Sequence, residues 1–365
     1  MKIALLGFGT VGKGFYELAE GRVCVKTVLS RRPRPELTCR VTDDFDEIVS
    51  DPEIGVVVEV MGGIEPAYTY ISRALRAGKH VVTANKQLMC AKFAELTRLA
   101  RENGAALRCT AAAGGGIGWL TALSRAAELD EILAVEGIVN GTTNFMLSAM
   151  TAQGAEYADA LKRAQALGYA EADPAADVEG FDARRKLVLS ADLAFGVQVQ
   201  EEDVPCVGIS SITAQDIREA GERKLVFRLI ARAERGADGV SAFVCPTLYS
   251  ENTAEAQTSG TDNRISLIAA HIGKQSFSGA GAGGWATGSN VLRDCLDIQA
   301  GCRSFYAAEF TPCALAKSGA EHLWLFRKHG QYLRRTCSVR EAFALYEQYR
   351  KEDPQALLAR FAERE

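Results

Sequence analysis

The chain has 365 residues, 47% hydrophobic and 24% charged, with 42 Lys and Arg against 46 Asp and Glu for a net charge of −4. This is globular composition. It excludes a wholly disordered or fibrous chain and gives no cationic footprint for nucleic acid. The length suggests two or three domains, and no apolar run approaches the ~20 residues of a membrane span. Ile54 to Met61 is interrupted by Glu59, and the start, Met1-Lys2-Ile3-Ala4-Leu5-Leu6, lacks the long apolar stretch and cleavage site of a secretory signal. A cytoplasmic protein is expected. The ten cysteines are scattered, form no CxxC and have no His at ligand spacing, so they read as small packed side chains in a reducing compartment.

In chain order, Lys2 to Leu6 predicts a short buried strand, ended by Gly7-Phe8-Gly9-Thr10-Val11-Gly12 and followed by a helix. This is GxGxxG in the strand–turn–helix context its chemistry needs. Gly7 allows the tight turn, Gly9 lets a pyrophosphate approach the backbone, and Gly12 lets the helix pack on the strand. The first helical turn then offers N–H groups and a positive dipole end to phosphate. The second strand, Val23 to Leu29, runs into Ser30-Arg31-Arg32. A site selective for NAD carries a carboxylate there for the ribose 2′-hydroxyl; Arg31 and Arg32 suit a 2′-phosphate instead. NADP(H) is therefore the expected cofactor, with NAD(H) still usable.

Val56 to Val60 predicts a third parallel strand closing in Met61-Gly62-Gly63. His80 to Thr83 predicts a fourth, running into Ala84-Asn85-Lys86, and Ala105 to Thr110 a fifth, with helices between them. The alternation defines α/β architecture with a doubly wound, Rossmann-type parallel sheet. Segments 7–12, 30–32, 61–63, 84–86 and 111–117 all fall at the carboxyl edge, where such sheets bind ligands. Beyond Gly116 the texture changes. Ile132 to Val139, Lys224 to Arg232 and Ser241 to Leu248 read as strands of a second, α+β domain, with helices over Tyr157 to Leu167 and Phe181 to Phe195. Boundaries are expected at 1–130, 131–284 and a helical C-terminal segment, 285–365. Asp182 and Lys186 are spaced i, i+4 and share a helix face, which on a solvated helix is an ordinary surface ion pair.

Several segments together carry a resemblance to homoserine dehydrogenase: Gly7 to Gly14, Glu59-Val60-Met61-Gly62-Gly63, Thr83-Ala84-Asn85-Lys86, Ala111 to Ile117, Asn140-Gly141-Thr142-Thr143-Asn144-Phe145, Leu167 to Pro174 and Asp177 to Leu187. The resemblance spans about residues 1–300, and its 137–187 block is far more specific than the dinucleotide fingerprint. It implies NAD(P)-dependent interconversion of L-homoserine and L-aspartate 4-semialdehyde, a step of threonine and methionine biosynthesis. It also implies a second domain that binds substrate and forms a homodimer through its sheet, and a last core helix, here Ser289 to Ile298, that returns to the nucleotide domain. Residues after Ile298 are too few for the regulatory ACT domain some members add.

By the same resemblance, Lys186 is the general acid/base and Asp182 orients the reacting group. Glu171 holds the substrate ammonium, and Lys86 is a cation at the substrate and nicotinamide. The backbone near Gly62, Gly168 and Gly281 lines the cofactor. Carbonyls of Thr110, Ala113, Gly115 and Ile117 would form a monovalent cation site, Na⁺ by expectation, which suits a hard ion's preference for oxygen. Two departures stand out: Gly118 follows Ile117 where the family has proline, and Gly284-Trp285-Ala286 replaces a Pro-Thr-Ala stretch. These loops leave open a diverged dehydrogenase acting on another small amino-acid alcohol or semialdehyde. A silent cofactor-binding protein is the other alternative, and retention of Lys86, Glu171, Asp182 and Lys186 argues against it.

Overall fold

Parallel strands covered on both faces need unbroken apolar runs rather than alternation, and the first half of the chain supplies them. The computed structural model describes residues 1–302, 310–316 and 319–363. Six strands, β1 (Lys2–Leu6), β2 (Cys24–Leu29), β3 (Arg40–Thr42), β4 (Ile54–Glu59), β5 (His80–Thr83) and β6 (Leu107–Arg108), pair in parallel in the order β3-β2-β1-β4-β5-β6. Ile3, Leu5, Val28, Val56, Val58 and Val82 make the sheet's contribution to one core. Phe15 of the helix Thr10–Ala19 and Val291, Leu292 and Cys295 of the helix Gly284–Gln299 complete it.

Those two helices meet through glycines. A Cβ on Gly14 would lie 2.3 Å from the backbone of Gly284, and one on Gly288 would lie 2.6 Å from the nitrogen of Phe15. The later helix is also tied down by its acids. Asp294, wholly buried, accepts from the Thr110 amide at 2.8 Å and hydroxyl at 2.7 Å, and pairs with Arg108 at 3.2 Å. Arg108 also pairs with Asp297.

The chain divides into two units, Met1–Leu129 with Ala280–Thr311, and Asp130–Gly279 with Pro312–Glu365. This differs from the expected division in two ways. Residues 280–284 fall with the nucleotide unit rather than with the second, and the segment 285–365 does not act as one helical piece. Its helix Gly284–Gln299 belongs to the first unit, but residues from 312 onward belong to the second and, where described, contribute strands as well as a helix.

The second unit is built on β7 (Ile132–Ile138), β9 (Leu225–Gly236), β10 (Gly239–Ser250), β11 (Asp262–Ala269) and β12 (Gly273–Ala280), with β14 (Glu321–Lys328), β15 (Gln331–Ser338) and β16 (Leu357–Phe361) from the tail. The two-residue strands β8 (Val197–Gln198) and β13 (Thr311–Pro312) lie outside this sheet. The order is β12-β11-β7-β9-β10-β16-β14-β15, with β16 parallel to β10. Between β15 and β16 a helix, Val339–Glu352, starts at a capping box of Ser338 and Glu341 and buries Phe343 and Tyr346 against Trp324, Phe326 and Leu358. The tail misleads as sequence because β14 is a central strand. Trp324 and Phe326 point to one face and Leu325 to the other, so the two-residue alternation that marks a half-exposed strand is absent.

Candidate active site

The loop after β1 has the geometry its glycines predict. Gly7 sits at φ +97°, where side chains are strained, and a Cβ there would lie 2.9 Å from Met61. A Cβ on Gly12 would lie 2.4 Å from the Gly7 carbonyl, while Gly9 faces open space. The helix starts at Thr10 with Val11 and Gly12 in its first turn, with no side-chain cap and no acid there. Its leading N–H groups are thus left for an anion, as a pyrophosphate cradle requires.

Arg31 and Arg32 follow β2 and are exposed. Ser30 braces their turn, its hydroxyl donating to the Arg32 carbonyl at 2.8 Å and accepting from Arg34 at 3.3 Å. Arg34, two residues further on, lies over the Phe8 ring, 5.4 Å from its centroid. It brings a third cation against the glycine loop.

The ends of β4 and β5 are fixed by the carboxylate of Glu59. Glu59 is fully buried and accepts from the amides of Met61 at 2.7 Å and Gly62 at 3.2 Å and from the Thr83 hydroxyl at 2.6 Å. Burial pushes its carboxyl above the usual range, against hydrogen bonds that favour the anion. Asn85 closes the network, donating to the Gly63 carbonyl at 2.6 Å and capping the helix Lys86–Glu102 through the Leu88 amide at 3.1 Å. Lys86, half-buried, is the first residue of that helix.

Further along this edge, Thr110–Ala112 form a 3₁₀ turn, and the loop that follows is held by Asn290, whose amide donates to the Gly115 carbonyl. A Cβ on Gly115 would lie 2.4 Å from Gly281, and the Gly116 amide donates to the Ala280 carbonyl at 3.0 Å, so the 113–117 and 280–283 loops touch. Gly118 explains one departure. Its φ is +74°, a region proline cannot enter, and a Cβ would sit 2.1 Å from the Arg293 guanidinium. Trp119 is fully buried at the start of the next helix, whereas Trp285 is exposed and donates to Glu17 at 2.6 Å.

In the second unit, the helix Phe181–Phe195 carries the i, i+4 pair inward rather than to solvent. Lys186 Nζ lies 2.7 Å from Asp182 Oδ2 and donates to the Val139 carbonyl at 2.6 Å, with both side chains buried. The solvated-pair reading therefore fails at this position. Gly180 makes the entry turn at φ +82°, where a Cβ would lie 2.9 Å from Cys206 Sγ.

Asn140 packs beside this pair and links two of the acids around it. Its carbonyl caps the helix Gly141–Gln153 through the Thr143 amide at 2.9 Å. Its amide donates to Asp177 at 2.7 Å and to Asp182 at 3.0 Å. Thr142 fixes the next loop by donating to the Tyr169 carbonyl at 2.5 Å. Gly168, at φ +75°, and Glu171 lie on that loop. The Glu171 side chain is exposed, and its carbonyl accepts from Gln165 at 3.1 Å. The loop thus presents Glu171 to solvent rather than as a buried carboxylate.

A six-stranded parallel sheet whose first strand ends in a glycine-rich turn, and a second unit that buries a Lys–Asp pair, have the make-up of a dinucleotide-dependent oxidoreductase. Family models confirm the class and sharpen it. Residues 7–110 match the NAD-binding domain of homoserine dehydrogenase and residues 119–296 match the homoserine dehydrogenase domain. The Corynebacterium glutamicum homoserine dehydrogenase is 42% identical over 318 residues, covering 80% of this chain and 71% of that protein. The Synechocystis enzyme is 40% identical over 319 residues, covering 82% and 73%. A crystal structure of a homoserine dehydrogenase from Thiobacillus denitrificans superposes with a TM-score of 0.90 at 29% identity, over 100% of this chain and 98% of that one. The chain belongs to the homoserine dehydrogenase family, and it is an oxidoreductase that uses a nicotinamide cofactor.

Proposed function

We propose that this chain interconverts L-homoserine and L-aspartate 4-semialdehyde with Lys186 as the group that exchanges the hydroxyl proton. The observation that supports this most directly is the buried contact of Lys186 with Asp182 and the Val139 carbonyl. Both partners favour the ammonium, so the lysine stands ready to donate a proton to a carbonyl being reduced. In the reverse direction it takes the proton from the alcohol. Asp182 holds the ammonium and orients the reacting oxygen. Glu171, on its exposed loop, binds the substrate ammonium, and Lys86 supplies positive charge at the end of β5. Bound nicotinamide supplies the hydride donor or acceptor.

The uncapped helix at Thr10 and the open face of Gly9 suit the cofactor's pyrophosphate. The loops at Gly62, Gly168 and Gly281 complete its surroundings. Arg31 and Arg32 favour NADP(H), because the turn carries no carboxylate to repel a 2′-phosphate. A monovalent cation, Na⁺, is held by main-chain oxygens of Thr110, Ala113, Gly115 and Ile117; the Gly115 carbonyl, already accepting from Asn290, offers its second lone pair. The assembly is a homodimer in the cytoplasm. No helix among the described residues is long and apolar enough to cross a membrane, and no disulfide joins the ten cysteines.

The test is turnover of purified protein on L-homoserine with NADP⁺ or NAD⁺, read by absorbance of the reduced nicotinamide. Lys186→Ala should lose about 10²–10⁴-fold in turnover, the usual worth of a positioned acid/base, with cofactor affinity nearly unchanged. Near-normal turnover in that variant would remove Lys186 from the chemistry.

A further inference from the structure

The sheet of the second unit has two faces with different tasks. The helix Phe181–Phe195 enters beside Val244 and Leu229, so the Lys186–Asp182 pair belongs to one of them. Phe243, Cys245, Thr247 and Tyr249 alternate with Val244 along β10 and point to the other. Strand register fills that other face with charge. Glu136 of β7 is paired with Arg232 of β9, which is paired with Phe243. Thr247 is paired with Arg228 of β9 on one side and with Arg360 of β16 on the other.

The carboxylates on this face are heavily shared. Glu136 accepts from Arg232 at 2.5 Å and from Lys274 at 3.2 Å. Glu234 accepts from Arg232 at 2.6 Å and pairs with His322 at 2.8 Å. Glu255 accepts from Lys274 at 2.8 Å and lies 3.9 Å from Arg264. Arg228 is buried and donates to the backbone carbonyls of Phe227, Glu255 and Ala256; burial lowers its pKa to about 10. The linked cations are thus Arg228, Arg232, Arg264, Lys274 and Arg360, in excess over Glu136, Glu234 and Glu255.

Arg360 is the least compensated of them. It is 2% exposed, and its Nε has no hydrogen-bond partner. Its ion pair is with Glu136 Oε2, 3.8 Å from Nη2, an oxygen that Arg232 already engages. The Phe243 ring centroid lies 5.8 Å from the guanidinium carbon. The Tyr249 hydroxyl is also buried without a hydrogen-bond partner, within electrostatic reach of Arg360 and Glu136. Burial pushes that phenol up, so it remains a donor.

Buried donors are satisfied by protein, water or an ion, and an uncompensated buried charge costs more than an unbonded neutral group. A water would satisfy these two donors and leave the charge. An anion answers both.

We propose that Arg360 Nε and the Tyr249 hydroxyl bind a small monatomic anion of the chloride class on this face of the sheet. Nη2 faces Glu136, which leaves Nε as a single donor, and Tyr249 supplies another. Two separate donors suit a sphere, whereas a carboxylate or phosphate takes a guanidinium by a two-nitrogen edge. Arg360 lies on β16 and Tyr249 on β10, so the anion ties the C-terminal strand to the middle of the sheet. The site shares no residue with the catalytic or cofactor assignments.

The test is thermal melting of the full chain in sodium chloride against sodium gluconate, at equal sodium and ionic strength, together with chloride NMR linewidths. Chloride at about five times its dissociation constant should raise the melting temperature by ~2–4 °C, saturably. The protein should broaden the chloride line until excess bromide displaces it. Arg360→Met keeps bulk and removes the charge. It should melt in gluconate no lower than the parent and lose both chloride responses. Tyr249→Phe should weaken chloride binding by about tenfold or more. The proposal is overturned by absence of both responses in the parent, by an equal shift with sulfate, or by responses that persist unchanged in Arg360→Met or Tyr249→Phe. An Arg360→Met that melts well below the parent in gluconate overturns it too, because the Glu136 contact would then suffice for Arg360.

Discussion

Asn140 bridges Asp177 and Asp182 beside the buried pair, and replacing it with aspartate isolates that role. The substitution keeps shape and keeps the helix cap, because Asp caps as well as Asn. It changes only the amide that donates to Asp177 at 2.7 Å and Asp182 at 3.0 Å. Two donors to carboxylates become an acceptor facing them. Hydrogen bonds to charged groups are worth about 1.5–3 kcal/mol each. If the misplacement of Asp182 costs the transition state one such bond, kcat falls by about 10–100-fold.

The sign with pH is distinctive. Two neighbouring carboxylates raise the pKa of a new one, and once protonated it donates a hydrogen bond again. The activity of Asn140→Asp relative to the parent should therefore recover as pH falls. Asn140→Ala, which loses both cap and donor, should show no such recovery and should also lose about 1 kcal/mol of stability through the cap. Steady-state kinetics across pH, with a thermal melt of each variant, reads both. A kcat for Asn140→Asp within roughly twofold of the parent, or identical pH profiles for the Asp and Ala variants, would refute the argument that Asn140 positions Asp182.

The turn after β2 makes a second prediction. Arg31→Ala with Arg32→Ala should raise KM for NADP⁺ by about 10–100-fold, the worth of a charge-assisted contact, and leave KM for NAD⁺ nearly unchanged. Both arginines are exposed, so high salt should shrink the difference; equal kcat/KM for the two cofactors in the unaltered protein counts against it. The third concerns acid stability. Burial alone would push the Glu234 carboxyl up, but His322 at 2.8 Å and Arg232 at 2.6 Å hold it down to about 2, from an ordinary 4.5. A depressed folded-state pKa stabilises above the unfolded value and is lost as pH falls through the folded one, so stability should drop between about pH 4.5 and 2, by about 3 kcal/mol in all. Glu234→Gln should flatten that slope in melts followed from pH 5 to 3; an unaltered slope would mean the ion pairs do not form.

The parts legible in the sequence were those whose chemistry is local. Gly7 and Gly12 act within one turn, so spacing alone announced the tight turn and the close helix packing, and their contacts match both. The i, i+4 spacing of Asp182 and Lys186 likewise placed both on one helix face. Spacing could not say which way that face points, and the difference between a surface ion pair and a buried one decides whether the pair is chemical. The C-terminal tail was illegible for the opposite reason. Its strand β14 is apolar on both faces and the helix Val339–Glu352 that follows β15 is rich in Arg, Glu and Lys, so no period distinguishes the strand from helix.

Glu59 and Asn140 show what separates the two cases. Each left a trace in the sequence: a single carboxylate ending a run of valines, and an Asn just before a helix. The partners that give Glu59 its role include Thr83, 24 residues away, and those of Asn140 are Asp177 and Asp182, 37 and 42 residues away. A local pattern names the residue, but a polar side chain taken out of water must find its partners wherever the fold brings them. In a chain of this kind, a charged residue closing a parallel strand, or an amide capping a helix beside a buried ion pair, is where positioning residues should be sought. Both can be tested by substitutions that keep the local role and break only the distant one.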